Sequence, residues 1–190
     1  MQRLNPILIG PVRIDIPVIL APMTGVSDLP FRKLVKSFGA GLVVSEMIAS
    51  KAVVLETRNA LRMAAFEPVE RPFSVQLAGC EPEVMAEAAK LNQDRGADII
   101  DINFGCPVKK VALGQSAGSA LMRDEIAAAR ILEAMVKAVS VPVTLKMRMG
   151  WDHNSLNAPK LARIAQECGI RLVTIHGRTR QQFYTGQADW

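Results

Sequence analysis

The sequence predicts an α/β protein organised as a (β/α)8 TIM barrel, with six of the eight strands falling within its 190 residues. Three observations carry this expectation. First, apolar β-rich runs alternate with helical stretches along the whole chain, which implies parallel strands joined by right-handed crossovers. Second, the breaks before strands recur in kind: Phe38-Gly39-Ala40-Gly41, Arg95-Gly96-Ala97-Asp98, Ser140-Val141-Pro142 and Cys168-Gly169-Ile170-Arg171. Glycine after a helix supplies the left-handed cap, and proline stops the helix from continuing. Third, four of the strands carry polar groups at alternate positions toward their C-terminal ends. These are Ser74 and Gln76; Asp101 and Asn103; Thr144, Lys146 and Arg148; Thr174, His176 and Arg178. An open doubly wound sheet also fits the alternation, but its buried parallel strands read as continuous apolar runs. In a barrel, residues two apart share one face and point inward and toward the mouth, where barrel enzymes place their chemistry.

A small hairpin, residues 7–9 and 12–14 joined by Gly10-Pro11, precedes the first strand. Strands are expected at 18–22, 42–46, 73–77, 99–103, 143–147 and 172–176, with helices at 28–37, 50–63, 82–95, 125–139 and 158–167. A closed barrel needs eight strands and typically about 250 residues. Residues 1–190 therefore read as one truncated catalytic domain, with edges at 18–22 and 172–176 that invite association.

Composition narrows the class. Hydrophobic residues make up 49% and charged residues 22%, which supports a packed core and excludes a disordered chain. A formal charge of +5 is compatible with a polyanionic partner. Cys80, Cys106 and Cys168 are far apart and form no C-x-x-C pair, so neither a disulfide framework nor a metal site is expected. The N-terminal apolar stretch is broken by Pro6, Pro11, Arg13, Asp15 and Pro17, unlike a signal peptide. No run approaches the roughly 18 apolar residues of a membrane span. A soluble, cytoplasmic protein is the expectation.

The most specific stretch is Asp101-Ile102-Asn103-Phe104-Gly105-Cys106-Pro107-Val108-Lys109-Lys110, directly after the fourth strand. Glycine and proline around Cys106 fix a sharp turn and keep its sulfur near the pocket. A thiol is mostly protonated at neutral pH and can serve as an acid. A free cysteine is also often a small buried hydrophobe, and position alone leaves both readings open. Lys146 reads either as a site cation or as the partner of Asp101. Cys80 and Cys168 read as structural, and His153 in the Trp151-Asp152-His153-Asn154 loop sits where it could cover the site.

The segment 102–110 resembles the signature of tRNA-dihydrouridine synthases, particularly the bacterial B-type subgroup. So do Leu20-Ala21-Pro22-Met23-Thr24-Gly25-Val26, Ser74-Val75-Gln76-Leu77-Ala78-Gly79, Lys146-Met147-Arg148 and His176-Gly177-Arg178-Thr179-Arg180, in the family's order. The resemblance covers essentially the whole chain. It implies FMN as cofactor, NADPH or NADH as reductant, and tRNA uridine reduced to 5,6-dihydrouridine. Cys106 would be the catalytic acid. Pro22, Met23 and Thr24 would form the turn beneath the flavin, Gln76 would bond its ring, and Lys146 and His176 would contact it. Asn103 and Arg148 would meet the target uracil, and Arg178 and Arg180 the RNA phosphates. The family's C-terminal helical tRNA-binding domain has no counterpart in the sequence, and a monomer is expected at full length. Two rivals remain: a free-pyrimidine flavin oxidoreductase of the dihydroorotate dehydrogenase kind, and a non-catalytic RNA-binding remnant.

Overall fold

In the computed structural model, which describes residues 4–114 and 116–190, all six predicted parallel strands form. The sheet runs in chain order: β3 (Ile19–Leu20), β4 (Leu42–Val44), β6 (Phe73–Ala78), β7 (Ile99–Phe104), β8 (Val143–Arg148) and β9 (Leu172–His176). Every pairing is parallel. This sequential order is that of a (β/α)8 barrel, six strands of which are present, and it rules out the strand-order reversal of a doubly wound sheet.

Helices α1 (Leu29–Ser37), α4 (Pro82–Asp94), α6 (Glu125–Ala138) and α7 (Ala158–Glu167) occupy their expected positions. Their ends follow from local chemistry. The Asp28 carboxylate accepts from Phe31 N at 3.0 Å, and that of Asp124 accepts from Ala127 N at 2.9 Å. Gly39, Gly96 and Gly169, just past α1, α4 and α7, adopt φ of 94°, 94° and 96°. Only glycine takes that conformation without a steric penalty, so each helix stops there.

Alternation along the strands separates two environments. Val75, Leu77, Ile100, Ile102, Leu145 and Met147 are buried in the large core with Met85 and Ala88 of α4 and Leu132 and Met135 of α6. The polar residues in between face the other way. At the N-terminal ends of the strands, β1 (Ile7–Ile9) and β2 (Val12–Ile14) pair as the expected antiparallel hairpin. Its Ile9 and Ile14 are fully buried and pack with Leu42 and Ile99, closing the bottom of the barrel. The C-terminal mouth is left as the open end.

The second strand departs from the sequence reading. Expected over 42–46, it ends at Val44 and resumes as β5 (Ile48–Ala49). The register shifts from Val43↔Phe73 to Ile48↔Leu77, so 45–47 oppose only Val75 and Gln76. This is a bulge. Ser45 Oγ accepts from Gln76 N at 3.0 Å, and Glu46 turns out to accept from Gly25 N at 2.5 Å. The helix expected over 50–63 is likewise two, α2 (Ser50–Val54) and α3 (Arg58–Ala64). Glu56 between them has φ 48°, and Thr57 caps the second.

Candidate active site

Parallel register lines the inward polar residues up in rungs. Gln76, Asp101 and Thr144 form one, Asn103, Lys146 and Thr174 the next, and Arg148 with His176 the rung nearest the mouth. The first two rungs are joined by side-chain bonds. Gln76 Nε2 donates to Asp101 Oδ2 at 2.6 Å, Asn103 Nδ2 donates to Gln76 Oε1 at 2.8 Å, and Thr144 Oγ1 donates to Asp101 Oδ1. Burial pushes the Asp101 carboxyl up, opposed by the Thr144 and Gln76 bonds and the Lys146 charge. Burial pushes the Lys146 ammonium down; Asp101 opposes this and Arg148 adds to it. The ion pair considered for these two does not form among the described residues: Asp101 acts on Lys146 through space. Lys146 instead lines a small inner cavity of about 100 Å³ with Pro22, Asp101 and Thr174.

Cys106 sits on the turn between β7 and the short helix α5 (Lys109–Ala112), held on every side. Asn103 Oδ1 accepts from Gly105 N at 3.1 Å and from Cys106 N at 2.8 Å. The Cys106 carbonyl accepts from Ser119 Oγ at 2.8 Å and Ser119 N at 3.2 Å. Arg148 Nε donates to Gly105 O at 3.0 Å. Gly118, at φ +58°, lies so close that an added Cβ would come within 3.0 Å of Cys106 Cβ. The sulfur is thus half-buried at the mouth on a turn with little room to shift.

The other predicted residues fall as follows. Pro22, Met23 and Thr24 form the turn after β3, pinned by Ser27, whose hydroxyl accepts from Met23 N and donates to Met23 O. Gln76 is fully buried with both ends of its amide engaged, leaving one N–H and one lone pair for any ring. Arg148 is only 3% exposed; Nη1 donates to the carbonyls of Thr179 and Phe183, so this side chain also ties the post-β9 loop to the Cys106 turn. Among the described residues, His176 Nδ1 and the Nε atoms of Arg178 and Arg180 are buried with no hydrogen-bond partner. Burial pushes the His176 imidazole down, reinforced by Arg148, Lys146 and Arg178. His153 is exposed on the loop after β8. Cys168 packs at the end of α7, its thiol pushed up by burial, and Cys80 lies at the outer rim beside Gly79.

Sequence reasoning missed the clamp residues Gly118 and Ser119 and the stacking of Arg123 and Arg180 on Trp151. Ala117-Gly118-Ser119-Ala120 stands out only as a run of small residues, and a contact over thirteen positions leaves no periodic trace. Among the described residues no cluster of His, Cys, Asp and Glu could hold a metal, and no helix is long and apolar enough to cross a membrane.

A parallel barrel sheet, plugged at its N-terminal end and carrying buried titratable groups at its C-terminal mouth, has the arrangement of a barrel enzyme site. The model of the dihydrouridine synthase family matches residues 19–190, and the chain belongs to that family. It is 62% identical over 185 residues to a "probable tRNA-dihydrouridine synthase" of Rickettsia bellii, covering 97% of this chain and 56% of the relative. It is 57% identical over 182 residues to the "tRNA-dihydrouridine synthase B" of Xanthomonas campestris, covering 96% and 54%. The chain thus spans about half the length of the curated relatives it matches. Among solved structures, histamine dehydrogenase from Rhizobium sp. 4-9 shares the fold, with a TM-score of 0.60 at 14% identity over 90% of this chain and 36% of that one.

Proposed function

We propose that this chain carries the catalytic centre of an FMN-dependent tRNA-dihydrouridine synthase that reduces the C5–C6 double bond of uridine with NADPH or NADH. The observation that carries the proposal is the Cys106 turn, fixed by Asn103, Arg148, Gly118 and Ser119 beside the rungs that bear Lys146 and His176. A cysteine that served only as filler would not need its backbone bonded on both sides at the mouth.

The residues fit a flavin. Among the described residues His176 Nδ1 has no hydrogen-bond partner, and Lys146 and Pro22 line the inner cavity. Lys146, His176 and Gln76 would hold FMN by the turn formed by Pro22, Met23 and Thr24, and FMN, once reduced by NADPH or NADH, would supply a hydride to carbon 6 of uracil. A base stacked in RNA hides that atom, so the uridine must be extruded into the mouth. Asn103 keeps one N–H, and Arg148 keeps its Nη2 group, to orient the carbonyls of the base. Cys106 would give its proton to carbon 5, completing the addition of two hydrogens across the double bond. Exposed Lys109 and Lys110, directly after the turn, favour a polyanionic substrate over a free pyrimidine. The test is incubation with an unmodified tRNA transcript, FMN and NADPH, reading the gain of two hydrogens per site by mass spectrometry. Reduction of orotate or free uridine in preference to tRNA would refute the reading.

A further inference from the structure

One aromatic ring joins the loops that follow β7, β8 and β9. The guanidinium carbons of Arg123 and Arg180 each lie 4.7 Å from the centroid of Trp151. The geometry is well supported by backbone: Arg180 N donates to Gly150 O and Gln181 N donates to Trp151 O, both at 2.9 Å. Arg123 ends the 3-10 helix Gly118–Arg123, whose first residues press on Cys106. Stacking occupies a guanidinium's face and leaves its edge of N–H donors free.

Those edges find no acceptor among the described residues. Neither arginine forms a salt bridge among the described residues, and Arg180 Nε is buried without a partner. The adjacent carboxylates are turned to other donors: Asp124 caps α6 through Ala127 N, and Asp152 accepts from Asn154 N. Two like charges held on one ring, with a buried N–H left open, call for an anion from outside. Planar donor edges suit phosphate oxygens.

We propose that Arg123 and Arg180, set on Trp151, form a clamp for RNA backbone phosphates flanking the nucleotide presented to Cys106. This rests on the tRNA reading above, in which the family resemblance already offers Arg180 to RNA phosphates, and adds to it Arg123 and the Trp151 ring that sets the two together. A phosphodiester strand fits better than the reductant, because Arg123 is exposed and does not line the inner cavity.

The test is binding of an unmodified tRNA transcript to the full chain across a salt series. It compares the parent, Arg123→Gln, Arg180→Gln, the double variant and Trp151→Leu, with NADPH titrated in parallel. Each lost phosphate contact should flatten the dependence of log K on log salt by roughly 0.7–0.9, and the double variant by about twice that. Trp151→Leu keeps both charges, so affinity should fall with the slope preserved. NADPH binding should not change. Arg123→Gln alters an exposed side chain and carries the test if an Arg180 variant fails to fold. Variants that bind tRNA with the parent slope, or that weaken NADPH in place of tRNA, would overturn the clamp and leave the functional reading standing. A parent chain with no salt-dependent tRNA binding would remove the functional reading, and the clamp with it.

Discussion

At His176, burial and three cations act in one direction: Arg148, Lys146 and Arg178 all disfavour the imidazolium. The folded-state pKa therefore lies below the ordinary 6.5. A depressed value means the folded protein binds that proton more weakly than the unfolded chain does. The associated stability is present in full above 6.5 and is lost as pH falls through the folded value. Urea denaturation at about pH 7.5 and about pH 5.5 should show the parent losing stability on acidification, with His176→Gln distinctly flatter across that window. Equal pH dependence in the two proteins would contradict the assignment. The residues at this scale were legible where a strand supplied a period of two: Gln76, Asp101, Asn103, Lys146, Arg148 and His176 were read onto one face, and register puts them in adjoining rungs. What could not be read was which groups they bond. Asn103 and Arg148 read as base contacts, yet each also holds the Cys106 turn through backbone groups that no side-chain pattern reveals.

Among the elements, the least anticipated contact anchors α1 to the segment before β6. Arg32 and Glu70 are both fully buried and paired, Nε to Oε1 at 2.7 Å. Arg32 also donates to the carbonyls of Ser27 and Ala65, and its guanidinium lies 4.8 Å from the Phe73 ring centroid. Removing one partner of such a pair leaves a buried charge uncompensated, so Glu70→Ala should cost about 3–5 kcal/mol of stability. Chemical denaturation would measure it, and a loss below about 1 kcal/mol would show that water reaches the arginine. Glu70 sits in a 3-10 turn between an apparent helix and a strand, a context that reads as solvated loop. Strand and helix positions were otherwise legible because glycine and proline punctuate them. The β4–β5 bulge and the α2–α3 break were not, because each depends on a non-glycine residue leaving regular geometry: Ser45 bonding the neighbouring strand, and Glu56 at positive φ.

Taken as a molecule, the sheet of the described residues has two edges, β3 and β9, neither paired on its outer side with another of the described strands. Val18 beside β3 and Ile175 on β9 are about half exposed, at 49% and 48%. Open, partly apolar edges template association. The 190-residue chain should therefore self-associate in size-exclusion chromatography and hold FMN weakly. A monodisperse chain holding stoichiometric flavin would show that six strands suffice. The barrel itself was legible because its inward polar rungs are incompatible with a sheet covered on both faces.

The central claim is that Cys106, clamped at the mouth, is the proton donor to the reduced uracil. Its most direct test is Cys106→Ala in a full-length context, assayed for dihydrouridine formation in an unmodified tRNA transcript with NADPH, in parallel with flavin reduction by NADPH alone. Loss of a general acid typically costs about 10²–10⁴-fold, so uridine reduction should fall by that factor while flavin reduction proceeds at the parent rate. Uridine reduction within a few-fold of the parent would contradict the account.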